Sequence, residues 1–201
     1  MNVQVTTLRC PNCGSDIEKD QKECDACGSK LTFTTYESVS NFTPPQAKKY
    51  IRGFQDNISS NANNIEIETI NNTSIAFFFL KLKLYDEAYN AFSKAMMNDF
   101  ENSEIYFYAA VSLLKGKKAF LHTRQEIDKM LELINAAIMI EPKGIYYYFM
   151  AYIKYDYFKR KFFNTSPNFK ECLAEAMSNG CTQEEINLFY DAAGVEPINM
   201  A

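Results

Sequence analysis

Residues 72–113 read NTSIAFFFLKLKLYDEAYNAFSKAMMNDFENSEIYFYAAVSL, and the interpretation of this stretch decides the fold. It divides into three consecutive amphipathic helices, with a break at Lys83 and Leu84 and another from Asp99 to Ser103. In the middle helix Ala88, Phe92 and Ala95 recur at intervals of four and three, which stacks their side chains on one face. A single helix cannot bury such a face alone, so its neighbours in sequence must cover it.

Upstream, residues 10–28 read CPNCGSDIEKDQKECDACG, two Cys-x-x-Cys pairs with a glycine after each. A tetrahedral zinc takes four thiolates at about 2.3 Å, each Cys-x-x-Cys turn supplies two, and glycine lets the backbone fold tightly around the sulfurs. The flanks TTLR and KLTFTTYE are rich in β-branched residues and fit two short strands. This pattern resembles the short bacterial-type zinc ribbon over about residues 8–33. The resemblance implies Zn2+ held by Cys10, Cys13, Cys24 and Cys27. With four thiolates the ion has no open position, so the site is structural. Residues 1–36 carry Arg9, Lys19, Lys22 and Lys30 against Asp16, Glu18, Asp20, Glu23 and Asp25, and the zinc–thiolate centre adds further negative charge. Such a module suits protein docking, or capping a neighbouring domain, better than phosphate binding.

Residues 37–64 are polar and rich in Asn and Ser, with a Pro-Pro step at Pro44 and Pro45. They read as a linker holding one short helix, with Tyr50, Ile51, Phe54 and Ile58 on its apolar stripe.

Beyond residue 65 the helical pattern recurs. Tyr85 to Ala88, then Phe92 and Ala95, are followed by Tyr106, Ala109, Ala110 and Leu113, and later by Tyr148, Ala151, Tyr152 and Tyr155. Ala137 and Pro142 close the second pair after about eight extra residues around KGKKAFLHT. The last pair places its second helix from Ser166, with Pro167 in the first turn and Leu173 and Ala176 in the core. Thr182 and Glu185 form a capping box, and Gly194 stops a polar-edged closing helix.

These residues resemble the tetratricopeptide repeat, a helix-turn-helix unit of roughly 34 residues. The resemblance implies a mainly α fold: a tetratricopeptide-like α-α superhelix of about three helical hairpins with a small N-terminal β zinc ribbon. The domains are then a ribbon over 1–36, a linker over 37–64 and a helical repeat domain with closing helix over 65–201. In the family the first helix of each unit lines a concave groove. The corresponding residues are Phe77, Leu80, Phe107, Val111, Leu114, Tyr146, Phe149 and Ile153, together with Ile70, Thr73, Glu104 and Asp156. Members that clamp a terminal carboxylate place Lys, Arg and Asn there. Thr73, Phe77 and Phe107 stand here instead, so no clamp is expected. An apolar groove of this kind takes a hydrophobic peptide or helix, or it is filled by residues 45–60 of the same chain.

The run IYYYFMAYIKYDYFKRKFF, residues 145–163, holds ten aromatics and the cations Lys159, Arg160 and Lys161. Helical spacing accounts for most of the rings as core. Stacking on an unpaired nucleic acid is the competing use. His122, the one histidine, reads as a surface residue, and Cys172 and Cys181 as core thiols.

A net charge of -4 and a pI near 5.2 argue against a polyanion partner for the chain as a whole. No apolar run reaches the length of a membrane span, and the N-terminus lacks a signal peptide's apolar core. The reading is a cytoplasmic, bacterial-type, non-enzymatic adaptor or assembly factor whose partner is another protein, with no membrane contact. The alternative is a nucleic-acid-associated protein that uses the ribbon and residues 154–163.

Overall fold

The computed structural model describes residues 8–9, 15–17, 24–28, 35–48, 51 and 65–200, with backbone alone at 8–9, 16–17 and 65–71. The molecule is mainly helical. Leu8–Arg9 (β1) and Asp16–Ile17 (β2) pair antiparallel, Leu8 opposite Ile17 and Arg9 opposite Asp16. The helices are Tyr36–Ser40 (α1), Ile65–Lys81 (α2), Tyr85–Asn98 (α3), Ser103–Ser112 (α4), Arg124–Ile140 (α5), Gly144–Ile153 (α6), Phe169–Ser178 (α7) and Gln183–Ala193 (α8). Residues 44–48 and 51 are also helical.

The three helices expected over residues 72–113 are α2, α3 and α4, and the breaks fall where the sequence puts them. At the first break Lys83 takes a left-handed backbone, φ 61°. At the second, the Asn102 side chain accepts the Glu104 N–H. Consecutive helices pack as antiparallel neighbours: α2 on α3, α4 on α5 and α6 on α7, with α3 on α4 and α5 on α6 linking the pairs.

The two rows of helices differ in how they are covered. Helix α3 buries one face through Ala88, Ala91, Phe92 and Ala95, and α5 does so through Ile127, Met130, Leu133, Ile134 and Ala137. Helices α4 and α6 are buried nearly all round, which requires cover on the side away from their hairpin partners. That cover is α1 and α8. Helix α8 packs on α4, α6 and α1, and α1 packs on α2.

The closing helix was expected as a polar-edged end cap. Its Thr182–Glu185 capping box and its stop at Gly194 (φ 65°) are present. Its course differs: α8 turns back from the third hairpin across the inner face and ends against the first. There the Tyr85 hydroxyl donates to the Ala193 carbonyl at 3.0 Å, and Lys83 Nζ donates to the Asp191 carbonyl. The physical reason is Phe189 and Tyr190, two large rings on one face of α8 that an end position would leave in water.

Gly144, at the start of α6, allows the third hairpin to close. A Cβ there would lie 2.5 Å from the Cys181 amide nitrogen and 2.7 Å from the Ala176 carbonyl oxygen. The second helix of that hairpin begins later than Ser166: Asn168 is the N-cap, in a capping box with Glu171, and a side chain that reaches two backbone amides outcompetes Ser166 for the position. Thr123 and Glu126 form a further box at α5.

The segment read as a linker is partly built into the core. Tyr36, Val39, Phe42, Ala47 and Ile51 are all buried. Tyr36 and Glu37, expected in an extended flank, are helical, with the Thr35 side chain accepting the Ser38 N–H. Tyr50, Phe54 and Ile58 lie outside the described residues. Among the described residues no helix is long and apolar enough to cross a membrane.

Candidate functional site

Three features qualify as sites: the cysteine knuckle, the inner face of the helical array, and the basic, aromatic edge around residues 154–170.

At the knuckle, residues 25–27 form a turn in which the Gly28 amide donates to the Cys24 carbonyl at 2.7 Å. Gly28 has φ +68°, with nothing within 4 Å of where a Cβ would stand, so backbone conformation rather than space calls for glycine. Cys24 is buried and Cys27 exposed. This tight turn, with thiols at its first and fourth residues, fits half of a four-thiolate zinc site. Cys10 and Cys13 lie outside the described residues; β1 and β2 flank them in sequence. Cys10, Cys13, Cys24 and Cys27 are the residues that would hold the metal, where it would serve to tie the two knuckles together.

The zinc-ribbon domain model matches residues 9–31. This is a zinc ribbon. The match covers the ribbon alone, and none of the curated proteins matches the chain. The four cysteines of the ribbon are those marked by spacing in the sequence.

On the inner face, Phe77, Leu80, Phe107, Val111, Leu114, Tyr146, Phe149 and Ile153 are all buried. None of these eight residues is open to solvent. Phe107 packs against Tyr146 (4.8 Å between ring centroids), Phe149 (5.9 Å) and Phe189 (6.5 Å), while Phe189 reaches Phe149 at 4.8 Å and Tyr152 at 5.7 Å. On the α1 side Tyr36 lies 5.5 Å from Tyr108, and Phe42 meets Phe78 edge-on at 5.2 Å. Of the two uses expected for this face, a peptide site or a groove filled by the same chain, the burial fits the second, with α1, Phe42 and α8 packed against it. Of the residues 45–60 proposed as filler, Ala47 and Ile51 are buried, but the inner-face cover starts earlier, at Tyr36.

One charged latch fastens the cover. The Tyr36 hydroxyl donates to Asp191 Oδ2 at 2.7 Å, and Lys81 Nζ stands 3.3 Å from the same oxygen. Burial alone would raise the Asp191 pKa, but the Tyr36 hydrogen bond and the charges of Lys83 and Lys81 outweigh it and hold the carboxyl below its ordinary range.

What remains open on this face is a cleft of about 210 Å³ lined by residues including Glu37, Glu104, Tyr108, Lys143, Tyr146 and Glu185. Lys143 bridges Glu104 at 3.2 Å and Glu141 at 3.0 Å. Burial pushes the Tyr146 phenol up to about 12. Thr73 is buried, and the side chain of Ile70 is outside the described residues. Asp156, expected to face the groove, is buried elsewhere: it accepts the Phe120 amide at 2.9 Å and Arg160 Nη1 at 2.6 Å, closing the loop before α5.

His122 is not on the surface. It is buried, and its Nε2 lies 3.1 Å from the Leu114 carbonyl, which can only accept, so that nitrogen carries the hydrogen. Its Nδ1 stands 3.4 Å from Glu126 Oε2. The ring staples the loop between α4 and α5. Cys172 is buried and Cys181 partly so; burial raises both thiols to about 11, which keeps them protonated at neutral pH.

At the third feature the aromatic run divides. Tyr146, Tyr148, Phe149, Tyr152, Tyr157 and Phe158 are core, as helical spacing predicts, whereas Phe162 is 94% exposed and Phe163 51%. The helix widens to a π turn at Lys154–Phe158, tightens to a 3₁₀ turn at Lys159–Lys161, and ends with Phe162 in a left-handed conformation, φ 61°. Such a backbone is unfavourable for a bulky residue. The sequence held a signal for this departure: Phe162 and Phe163 follow three consecutive cations that break the apolar period.

Proposed function

We propose that the protein is a non-enzymatic adaptor or assembly factor that binds another protein. Its zinc ribbon is the docking module and its helical part, a tetratricopeptide-like array of three hairpins, is the platform that carries it. The observation that supports this division is that all eight residues expected to line a groove are buried, while α1 packs on α2 and α8 packs on α4 and α6, the helices that carry them. A filled groove leaves no room for a hydrophobic peptide or helix unless the cover moves, so recognition passes to the ribbon. Four thiolates complete the zinc shell, and the metal's role here is structural. The two cysteine pairs suit a reducing compartment, which we take as the bacterial cytoplasm.

The test is affinity capture with the full chain and a Cys24→Ser, Cys27→Ser variant, beside metal analysis and circular dichroism of both. The expected result is one zinc per wild-type chain, none in the variant, an unchanged helical spectrum, and loss of a specific protein partner. Partners retained by the metal-free variant would refute the ribbon as the docking module.

A further inference from the structure

We propose that the groove between the π turn at Lys154–Phe158 and the first turn of α7 binds single-stranded nucleic acid. The groove has a volume of about 620 Å³, and its walls include Lys154, Lys159, Lys170, Phe162, Phe163 and Asn164. Among the described residues no carboxylate lines it. In a chain of net charge -4 this is a local concentration of positive charge.

The cations are positioned by rings rather than neutralised by acids. Lys159 Nζ sits 4.7 Å from the centre of Tyr155 and 4.5 Å from that of Phe169, Lys154 Nζ lies 5.0 Å from Phe158, and Lys161 Nζ lies 3.7 Å from Tyr157. The nearby acids have other partners: Asp128, whose charge reaches Lys154, pairs with Arg124 at 2.8 Å. Asp156 is buried against Arg160 and the Phe120 amide, and Glu171 accepts the Asn168 amide in the α7 capping box. The charge therefore remains available to phosphates.

Phe162 and Phe163 supply the second element. Phe162, in a left-handed backbone that is unfavourable for Phe, buries almost nothing within the chain, and Phe163 is half-exposed beside it, so both present apolar ring surface next to the lysines. Base stacking on such rings tolerates any sequence, and phosphates track the adjoining cations. Asn164 adds a polar side chain to the wall, while the Asn168 oxygen caps α7 and the Thr165 hydroxyl donates to the Pro167 carbonyl at 3.3 Å. A duplex keeps its bases stacked inside and cannot use the Phe faces. An acidic peptide would need only the cations.

The test is fluorescence anisotropy of a labelled oligouridylate with the full-length protein over a salt series. The expected result is binding that weakens as salt rises, with a duplex of equal length bound more weakly. Phe162→Ala with Phe163→Ala should weaken binding about tenfold and leave the salt slope unchanged. Lys154→Gln with Lys159→Gln should weaken binding and lower the slope. Phe162, Phe163 and Lys159 are exposed and Lys154 is partly buried, and circular dichroism checks that each variant is folded. The proposal is overturned by absence of binding at low salt, by equal affinity for duplex, or by binding that survives both variants. It is equally overturned if binding disappears in the Cys24→Ser, Cys27→Ser protein, which would place the contact in the ribbon, or if polyglutamate or anionic vesicles bind this groove and oligouridylate does not.

Discussion

The inner face of the helical array and the Lys154–Phe169 edge are built from the same residue types, yet the fold treats them in opposite ways. On the inner face Phe107, Tyr148, Phe149 and Tyr152 meet Phe189 from a helix that begins some thirty residues after the last of them, as the numbering shows. At the edge Phe162 and Phe163 meet no such helix and stay in water. Aromatic content therefore does not mark a binding surface in this chain. What marks it is whether a later segment returns to cover the rings.

The sharpest way to break this comparison is Phe189→Ala. Phe189 is 1% exposed and meets four aromatic rings on other helices, so its loss should destabilise the fold by about 3–5 kcal/mol in urea unfolding. A loss below about 1 kcal/mol would mean that α8 lies on the array without being part of its core. Gly144→Ala comes next, at about 1–3 kcal/mol, because the new methyl group meets backbone atoms that cannot rotate away.

The latch gives a smaller and pH-dependent effect. Asp191 has a folded pKa below its unfolded value, so its contribution is complete above about pH 4 and is lost as pH falls through the folded pKa. Asp191→Asn should lower stability at neutral pH by roughly 1 kcal/mol, since the side chain is partly exposed. The gap from wild type should close on acidification. A gap that is constant from pH 7 to pH 3 would show that charge at Asp191 does not hold the cover.

Phe162→Ala should have the smallest effect on stability, within about 0.5 kcal/mol, because the side chain buries almost nothing. A larger loss in thermal unfolding would identify Phe162 as a packing residue and remove the contrast between the two regions.

Much of the local structure was legible in the residues. The breaks at Lys83–Leu84 and Asp99–Ser103, the Thr182–Glu185 box and the Gly194 stop are all short-range patterns, decided within a turn or two of the chain. The Asn168 cap was missed because Ser166 and Pro167 form an equally good local signal, and only the amides reached by the Asn168 side chain separate them. His122 was misplaced for another reason. Its partners are Leu114, on the far side of a loop, and Glu126, and nothing in the loop's composition announces that it folds under itself.

By itself the sequence determined the helical periodicity, the order of the helices and the zinc-ribbon pattern of two Cys-x-x-Cys pairs, because each depends on spacing along a few consecutive residues. It also marked the groove positions of the helices now seen as α4 and α6 as apolar and aromatic, which calls for a partner or a cover. Only the tertiary structure decided what that cover is. Tyr36 lies 155 residues from Asp191, and Tyr85 lies 108 from Ala193. Contacts at such separations depend on the path of the whole chain, and no local propensity encodes them.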